Sequence, residues 1–589
     1  MVFEAWQYHH QIPQITEMAK KHPNLKIIFF FGLVPVLSSG QVSQKVWYDG
    51  NSRAMFYRDA LSGDLKDIDT TSTRSEGEGY TAIDLGMHFT PNDEIEIFSE
   101  IRIKNDFGYM WGSGAYVDLR RLSVKGVLND RISFNLGDMY LRQTAFTLNN
   151  FDQELSKYEP SVFQAYRDLI QYENFYLDNY WRVQGLQSNF SYTFYNAINS
   201  VEADFFASRV RGVEWLGEPE LLMLGGTSLI KLENKISLAI NHVNSFEVQS
   251  SSLDTATYYN PVTNIQLKYV KKINSLAYRI SLDVGGSIRG WQMSDGTALF
   301  ESSGNFIKGK IKAVGKKLKS SLSFSYVDPD FRSAGAQSRR VNYVSAPSSY
   351  AYYTNNTILR PVSLMDITTD PNVYNHRLST SLMDYNTLYS AVSPYGEATP
   401  NRVGTSALFD YKNKEESILV SADLAFFKEI IGQGTEEKRG LFSSGLFVAA
   451  HIDKMTPLKN KAVFEASVSS ESVNRGGSEL ESISFNSLLL SAGLSYELFK
   501  NLKIIGGLKS FAGKGNEVGA QRDEYDQVVG YELLDFDSKE EILLLGLQYN
   551  FTNDIYFSLQ TNQIEIDDRT SDISQLSLSR IYFMFNMNL

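Results

Sequence analysis

Apolar and polar residues alternate along most of the chain after about residue 80. In the segment 275–288, Ile280 and Leu282 fall in one phase of the alternation, and Ser281 and Asp283 fall in the other. Successive side chains of a β-strand point to opposite faces, so a period of two indicates a strand with one apolar and one polar face. The chain is therefore predicted to be rich in two-faced strands.

The same alternation recurs in the segments 94–104, 306–313 and 417–427. The alternating runs are about 9–13 residues long, whereas strands average about 5–6 residues in soluble proteins and about 9–11 in membrane barrels. The pattern predicts an all-β, transmembrane antiparallel β-barrel with apolar residues toward lipid and polar residues toward the lumen. The candidate lumen-lining residues are Glu96, Glu100, Arg102, Lys104, Arg279, Asp283, Lys308, Lys310 and Lys312.

Short polar turns separate the alternating segments in pairs. They lie at 91–93, 129–130, 196–199, 233–235, 272–274, 316–317, 412–414, 459–461, 500–501 and 553–554. Two strands for each turn, with a first strand near 45–57 and a last strand at the C-terminus, give about 22 strands, within a range of 18–24. Longer stretches connect the pairs, and this asymmetry is typical of outer-membrane barrels, with short turns in the periplasm and long loops outside the cell.

The C-terminal segment carries the most specific strand signal. Ile581, Phe583, Phe585, Met587 and Leu589 alternate with residues that include Tyr582, Asn586 and Asn588. An apolar edge strand is an aggregation hazard, and pairing with the first strand of a closed barrel removes it. This end of the chain resembles the signal read by the barrel-insertion machinery, although Leu589 stands where an aromatic residue is usual.

Residues 1–40 are predicted to be a signal peptide that is removed before Gln41. Lys20, Lys21 and Lys26 precede an apolar run at 27–37, and the small residues of 38–40 suit a cleavage site. Because the first 17 residues fit such a peptide poorly, the true start is expected at Met18. An N-terminal membrane anchor is the alternative interpretation. The remaining segment, 41–589, is predicted to form a single barrel.

Two long segments interrupt the alternation, at about 142–180 and 328–402. Loops of this length are uncommon unless they are functional or disordered, and the aromatic content of these two favours order. We expect the segment 328–402 to fold against or into the extracellular mouth of the barrel and to narrow it. An exposed adhesive loop is the alternative. The arginines expected to pair with lumen carboxylates are Arg332, Arg339, Arg340 and Arg402.

The loop phrases 326–333 and 393–402, the Asn- and Lys-containing turns and the aromatic-rich strands resemble outer-membrane barrel families of the Bacteroidota. The resemblance covers most of the chain after residue 40. It implies a porin-like barrel and an outer-membrane location, and it carries over neither a substrate nor a functional residue.

Composition excludes several kinds of chemistry. The chain has no Cys, which excludes an Fe–S cluster, a thiolate zinc site, a cysteine nucleophile and an acylated lipoprotein. Its net charge of −12 disfavours nucleic acid as a partner. The histidines after residue 40 stand apart from one another, so we expect no metal site, no cofactor and no enzyme activity. A calcium site at Asp366, Asp370 and Asp384 is a less favoured alternative, because no calcium-loop motif is present.

The sequence thus predicts a porin-like channel or transporter for small solutes, inserted in outer-membrane lipid. One alternative is a structural or surface-interaction protein that binds a partner through extracellular loops. Another is a surface β-protein outside the membrane. Strands are predicted to start soon after residue 40, which disfavours a receptor with an N-terminal plug domain. The sequence identifies neither the solute nor a protein partner.

Overall fold

A computed structural model describes most of the chain. The described residues are 45–63, 74–108, 114–149, 158–175, 182–194, 197–212, 219–248, 256–338, 341, 350–351, 357–358, 362–369, 373–374, 378–479, 481–523, 527–552, 554–570 and 574–589. The predicted signal peptide, Arg339 and Arg340 lie outside these residues.

Twenty-two strands form one sheet, and a two-stranded hairpin forms a second. The first thirteen strands of the large sheet are β1 Lys45–Gly63, β2 Arg74–Asn92, β3 Ile95–Asp106, β4 Ala115–Leu128, β5 Ile132–Met139, β6 Val183–Thr193, β7 Ile198–Arg211, β8 Glu220–Leu232, β9 Ile236–Val248, β10 Ala256–Ile273, β11 Leu276–Met293, β12 Ala298–Val314 and β13 Leu318–Val327. The hairpin is β14 Tyr350–Ala351 and β15 Thr357–Ile358. The remaining strands are β16 Arg402–Lys412, β17 Ile418–Lys428, β18 Gly440–His451, β19 Ala462–Arg475, β20 Ile483–Phe499, β21 Leu502–Arg522, β22 Val528–Asn550, β23 Ile555–Asp568 and β24 Gln575–Asn588.

Helical structure is sparse in the described residues. The helices are α1 Ser161–Phe175, α2 Leu364–Thr369 and α3 Ile452–Met455, and short 3-10 turns occupy Ala334–Ala336 and Gly396–Ala398. None of the helices in the described part of the chain has the length and apolarity needed to cross a membrane.

The large sheet closes on itself as an antiparallel barrel. Each strand pairs with its neighbours in the chain, β13 pairs with β16, and β1 pairs with both β2 and β24. The closing ladder runs from Asn51↔Asn588 to Gly63↔Leu576. The predicted fold class and the predicted number of about 22 strands are confirmed. The first strand is longer than predicted, because β1 continues past residue 57 to Gly63 along its pairing with β24.

All ten predicted turns connect adjacent strands at one end of the barrel. Residues with positive φ recur in them, at Asn129 (53°), Asp130 (56°), Lys235 (65°), Asn274 (53°) and Asn501 (74°). Asn and Asp tolerate this left-handed backbone better than most residues, which explains why they recur in the tight turns. Longer connections lie at the other end, including those that contain the segments 142–180 and 328–402.

The two faces of the strands differ in exposure as alternation requires. On β11, Ile280 and Leu282 are 44% and 40% exposed on the outside of the barrel, whereas Asp283 and Ser287 are 8% and 4% exposed on the inside. Exposed Leu, Ile, Val and Phe residues on many strands extend this apolar outer surface around the barrel. Contiguous apolar surface of this extent marks a membrane or protein contact.

Arginine at Leu282 should therefore destabilise the barrel in a bilayer by about 2–4 kcal/mol, because the charge would face lipid near the midplane. The matched control is Gln266→Arg on β10. Gln266 Nε2 donates to Asp283 Oδ1 at 2.6 Å on the inner face, so an arginine there keeps a carboxylate partner. Urea unfolding followed by heat-modifiability on gels measures the difference. Equal loss of stability in the two variants would contradict the assignment of faces.

Candidate functional site

The interior of the barrel is occupied by parts of two long connections. We call the described residues 142–149 and 158–175 the first internal segment, and the described residues between 328 and 401 the second. Both segments contact residues of the inner strand faces, and side chains such as Phe331 and Val373 are fully buried. A barrel of 22 strands is too wide for inward side chains alone to fill, so these segments determine how much lumen remains.

The start of α1 lies against the wall formed by β18–β21. Pro160 and Val162 contact Gly493, and Phe163 contacts Gly507. A β-carbon added at Gly493 would lie 2.8 Å from Pro160, and one added at Gly507 would lie 2.6 Å from the Phe163 ring, so both glycines make room for the helix. The sequence shows these glycines, but not what packs on them.

Polar contacts fasten the same end of α1. The backbone N–H and the hydroxyl of Ser161 both donate to Glu465 Oε2 on β19, at 2.6 Å each. A carboxylate at a helix N-terminus accepts from unpaired N–H groups and interacts favourably with the helix dipole. Beside it, Glu159 pairs with Arg167 and Lys509. Burial favours the protonated form of Glu159, but these two cations hold its pKa below the usual range.

The opposite end of α1 lies against a cluster that we call the arginine socket, formed by Arg53, Asp84, Arg102 and Arg120 on β1–β4. Asp84 is fully buried and accepts from all three arginines at 2.6–2.9 Å. Glu100 lies 3.8 Å from Arg120. The three guanidinium groups of the socket, with Asp84 and the neighbouring Glu100, leave one excess positive charge.

Residues of α1 complete the arginine socket. Glu173 pairs with Arg53 and Arg102, and the Tyr172 hydroxyl donates to Asp84 Oδ2 at 2.7 Å. Arg120 donates to the Tyr172 carbonyl at 3.2 Å. Burial disfavours the charged form of Glu173, yet the arginines hold its pKa below the usual range, which keeps it ionised as their counter-ion. The helix thus links two parts of the inner wall, β18–β21 and β1–β4, which β22–β24 separate around the ring.

The second internal segment packs on the first and on the wall. Phe331 and Phe146 enclose the inward ring of Phe306, with ring centroids 5.1 and 4.0 Å from it. The Ser333 hydroxyl donates to the Thr147 carbonyl at 3.0 Å. The two segments therefore form one body inside the barrel, although the sequence separates them widely.

Inner-face carboxylates also accept hydrogen bonds from backbone N–H groups of the second segment, at the start of α2 and in irregular chain. The Leu364 N–H donates to Glu540 Oε2 at 2.9 Å, and the N–H groups of Ala391 and Val392 donate to Glu471 Oε2 at 2.7 and 3.2 Å. Buried N–H groups need acceptors, and those at the start of a helix or in irregular chain often find them on side chains. We refer to Glu465, Glu471 and Glu540 as the wall carboxylates.

A polar cavity of about 150 Å³ remains between residues 393–399 and the inner faces of β12, β13, β16 and β17. We call it the crevice. Its lining includes Lys308, Ser323, Ser325, Glu397, Arg402 and Ser406. Lys308 Nζ lies 2.5 Å from Glu397 Oε1. Burial tends to raise the pKa of Glu397, but Lys308 and neighbouring cations hold it below the usual range.

The candidate lumen-lining residues fall into three groups. Glu100 and Arg102 face inward but are covered by α1, Arg102 within the socket and Glu100 beside Arg120. The second group, Glu96 and Lys104 on β3, has partners on the strands themselves. Glu96 Oε1 lies 2.7 Å from His88 Nδ1, and Lys104 Nζ lies 2.9 Å from Asp106 Oδ1. The third group lies on β11 and β12, where Arg279, Asp283, Lys308, Lys310 and Lys312 occupy paired inner positions.

The arginines expected to narrow the mouth have different partners. Arg332 Nη1 donates to the carbonyls of Pro329 and Phe331, at 2.8 and 2.9 Å. Arg402 lies at the crevice, with Nη1 3.9 Å from Glu429 Oε1 and Nε donating to the Val392 carbonyl at 3.3 Å.

Asp366, considered above as a calcium ligand, accepts from the N–H and hydroxyl of Ser363 at the start of α2, both at 2.8 Å. Within the described part of the chain, no three His, Asp or Glu residues form a group that could hold a metal ion.

No protein-family model and no curated protein sequence matches the chain. Its fold is similar to the FrpB iron transporter from Neisseria meningitidis (F3-3 variant), with 8% identity, a TM-score of 0.45, and coverage of 92% of this chain and 82% of that one. It is similar to the outer membrane protein OprD from Pseudomonas aeruginosa, with 9% identity, a TM-score of 0.34, and coverage of 92% and 94%. It is also similar to Pseudomonas aeruginosa OccK10 (OpdN), with 7% identity, a TM-score of 0.33, and coverage of 92% of this chain and 99% of that one. At such low identities and TM-scores, these likenesses assign neither a solute nor a family.

Replacing Glu173 by glutamine should release the C-terminal half of α1 from the arginine socket. The change keeps the side-chain shape and leaves buried guanidinium groups short of a counter-ion, which costs about 3–5 kcal/mol where the partner charge is buried. Amide hydrogen exchange in 161–175 measures the release.

Glu202→Gln is the matched control, because Glu202 pairs with Lys231 on the inner face of β7 and β8, away from α1. The control should leave exchange in α1 unchanged. Unchanged exchange in the Glu173 variant as well would show that the socket does not hold the helix.

Proposed function

We propose that the protein is a porin-like channel or transporter for small solutes in the bacterial outer membrane, the location that the resemblance to Bacteroidota barrels implies. Its apolar outer surface would contact outer-membrane lipid. Its C-terminal strand, which closes the barrel against β1, would be read by the barrel-insertion machinery. The proposal includes no catalytic step and no cofactor.

The observation that carries the proposal is the narrowing of a wide lumen by two fastened internal segments beside a polar crevice. Besides the ions that hold the segments, the crevice leaves a polar opening that a barrel serving only as an anchor does not need. The crevice runs along the wall between β12 and β17, and its lysine, arginine and serine side chains suit a hydrated solute. We therefore take the crevice as the route, with the internal segments limiting the size of what passes.

The alternative function, a surface protein that binds a partner through its extracellular loops, would use the longest loop as the adhesive element. The described part of that loop packs inside the barrel instead, and Val392 and Ser390 are each only 1% exposed. An adhesive role would then depend on the shorter connections, and no contact or patch among the described residues favours it.

A single cysteine tests the route, because the chain has no Cys of its own. Ser406 lines the crevice, and the adjacent Thr405 faces outward on the same strand. In planar bilayers the unmodified protein should give discrete conductance steps. A bulky water-soluble thiol reagent should reduce the step size of Ser406→Cys sharply and leave Thr405→Cys unchanged.

Two results would count against the proposal in different ways. Correctly folded protein that inserts into the bilayer without conductance steps would overturn channel function. Full modification of Ser406→Cys, verified by mass spectrometry, with unchanged conductance would show that solutes do not use the crevice.

A further inference from the structure

We propose that the passage selects small anions, such as solutes carrying a carboxylate or phosphate group. The inference rests on the proposed channel function and deepens it. It is carried by a cluster that we call the basic stripe, formed by the inner-face residues Lys268 on β10, Arg279 on β11, and Lys308, Lys310 and Lys312 on β12.

Strand register places the members of the basic stripe side by side. Arg279 is opposite Lys312, Ser281 is opposite both Lys268 and Lys310, and Asp283 is opposite Lys308. Side chains directly opposite on one face lie about 4.5–5.5 Å apart at Cβ, and those two positions apart on one strand share that face. The five cations therefore form one continuous patch on the inner wall.

The patch has little negative charge of its own. Of the inner-face positions on β10–β13, all of them within described strands, Asp283 is the acidic one, and it accepts from Asn264 and Gln266 at 3.3 and 2.6 Å. From the second internal segment, Glu397 pairs with Lys308. Among the described residues of these strands and of 393–399, two carboxylates beside five cations leave a positive excess, in a chain whose net charge is −12.

Holding α1 and the second segment in place does not account for the basic stripe. The ion pair between Lys308 and Glu397 fastens the second internal segment at the end of the basic stripe that is farther from the short turns. Lys312 and Arg279 lie further along the wall, toward the short turns at the other end. Like charges directly opposite one another are destabilising, so Lys312 opposite Arg279 is a cost that a purely structural wall would avoid. Features that break such local rules are expected at functional sites.

Hydroxyl groups accompany the cations along the route. On β13, Ser321 is opposite Lys312, Ser323 is opposite Lys310, and Ser325 is opposite Lys308. A serine hydroxyl can donate to a carboxylate or phosphate oxygen while the neighbouring lysine supplies the charge. An anion that moves along the stripe would thus replace hydrating water molecules with hydrogen-bond donors of the protein at each lysine and serine pair.

The basic stripe is continuous with the crevice. Lys308, Ser323 and Ser325 belong to the lining of the crevice as well, and Arg402 stands on its β16 side. Positive charge therefore extends from the turn end of the wall into the narrow part of the passage. A narrow cleft lined by one sign of charge raises the local concentration of ions of the opposite sign.

The test compares chloride and potassium permeability from reversal potentials in a KCl gradient, with purified full-length protein in planar bilayers. The unmodified protein should favour chloride. The double variant Lys310→Gln, Lys312→Gln should lose this preference several-fold, and Lys310→Glu, Lys312→Glu should invert it. Adding inorganic phosphate should reduce chloride current in the unmodified protein and have a weaker effect in the glutamine variant.

The matched control is Lys125→Gln, Lys503→Gln, which removes the same charge from inner-face positions on β4 and β21. It should leave selectivity unchanged. A conducting protein without preference for chloride would overturn the inference and leave the channel intact, whereas absent conductance would overturn the proposed function itself. Equal loss of selectivity in the control would show that the basic stripe does not set it.

Discussion

The structure depends on one constraint, that backbone N–H and C=O groups shielded from water need partners. In the large sheet, the pairing of β1 with β24 satisfies this requirement, because it leaves neither strand with an unpaired edge. Closure over 22 strands creates a lumen that side chains cannot fill. The chain that enters this space is mostly irregular and needs acceptors from the wall. The wall carboxylates supply several of these acceptors. The need to pair backbone groups thus explains both the closure of the barrel and the way in which the internal segments are held.

The internal segments are held by several kinds of contact at separate places. Gly493 and Gly507 allow close approach of the start of α1 to β20 and β21, and the arginine socket on β1–β4 binds Glu173 at the other end of the helix. The stacked rings of Phe146 and Phe306 join the first segment to β12. Because these contacts reach around much of the ring, the segments brace the barrel as well as narrow it. Under the proposed channel function, a solute would pass beside this body, along the crevice.

The barrel could be predicted from the sequence because its signals are local. Period-two alternation marked the faces of β11, and Asn and Asp in tight turns marked the strand pairs. The path of the first internal segment could not be predicted, since it depends on contacts such as Glu173 with Arg53. The same limit applied to Arg102. The alternation placed it correctly on the inner face, but it could not predict that α1 covers it and that Glu173 pairs with it. Pro160 before a stretch free of Gly and Pro was the available hint of a helix.

An acidic chain can carry a basic stripe on one inner wall because its carboxylates and its cations have different partners. Many inner carboxylates are engaged in packing: Glu465 and Glu471 accept backbone N–H groups, and Glu173 neutralises the arginine socket. Their charge is thereby committed to holding the internal segments. Lys312, by contrast, lies on the inner face of β12 toward the short turns, beyond the ion pair between Lys308 and Glu397. The charge that remains along the inner wall is therefore set less by the total composition than by which residues pair with the internal segments.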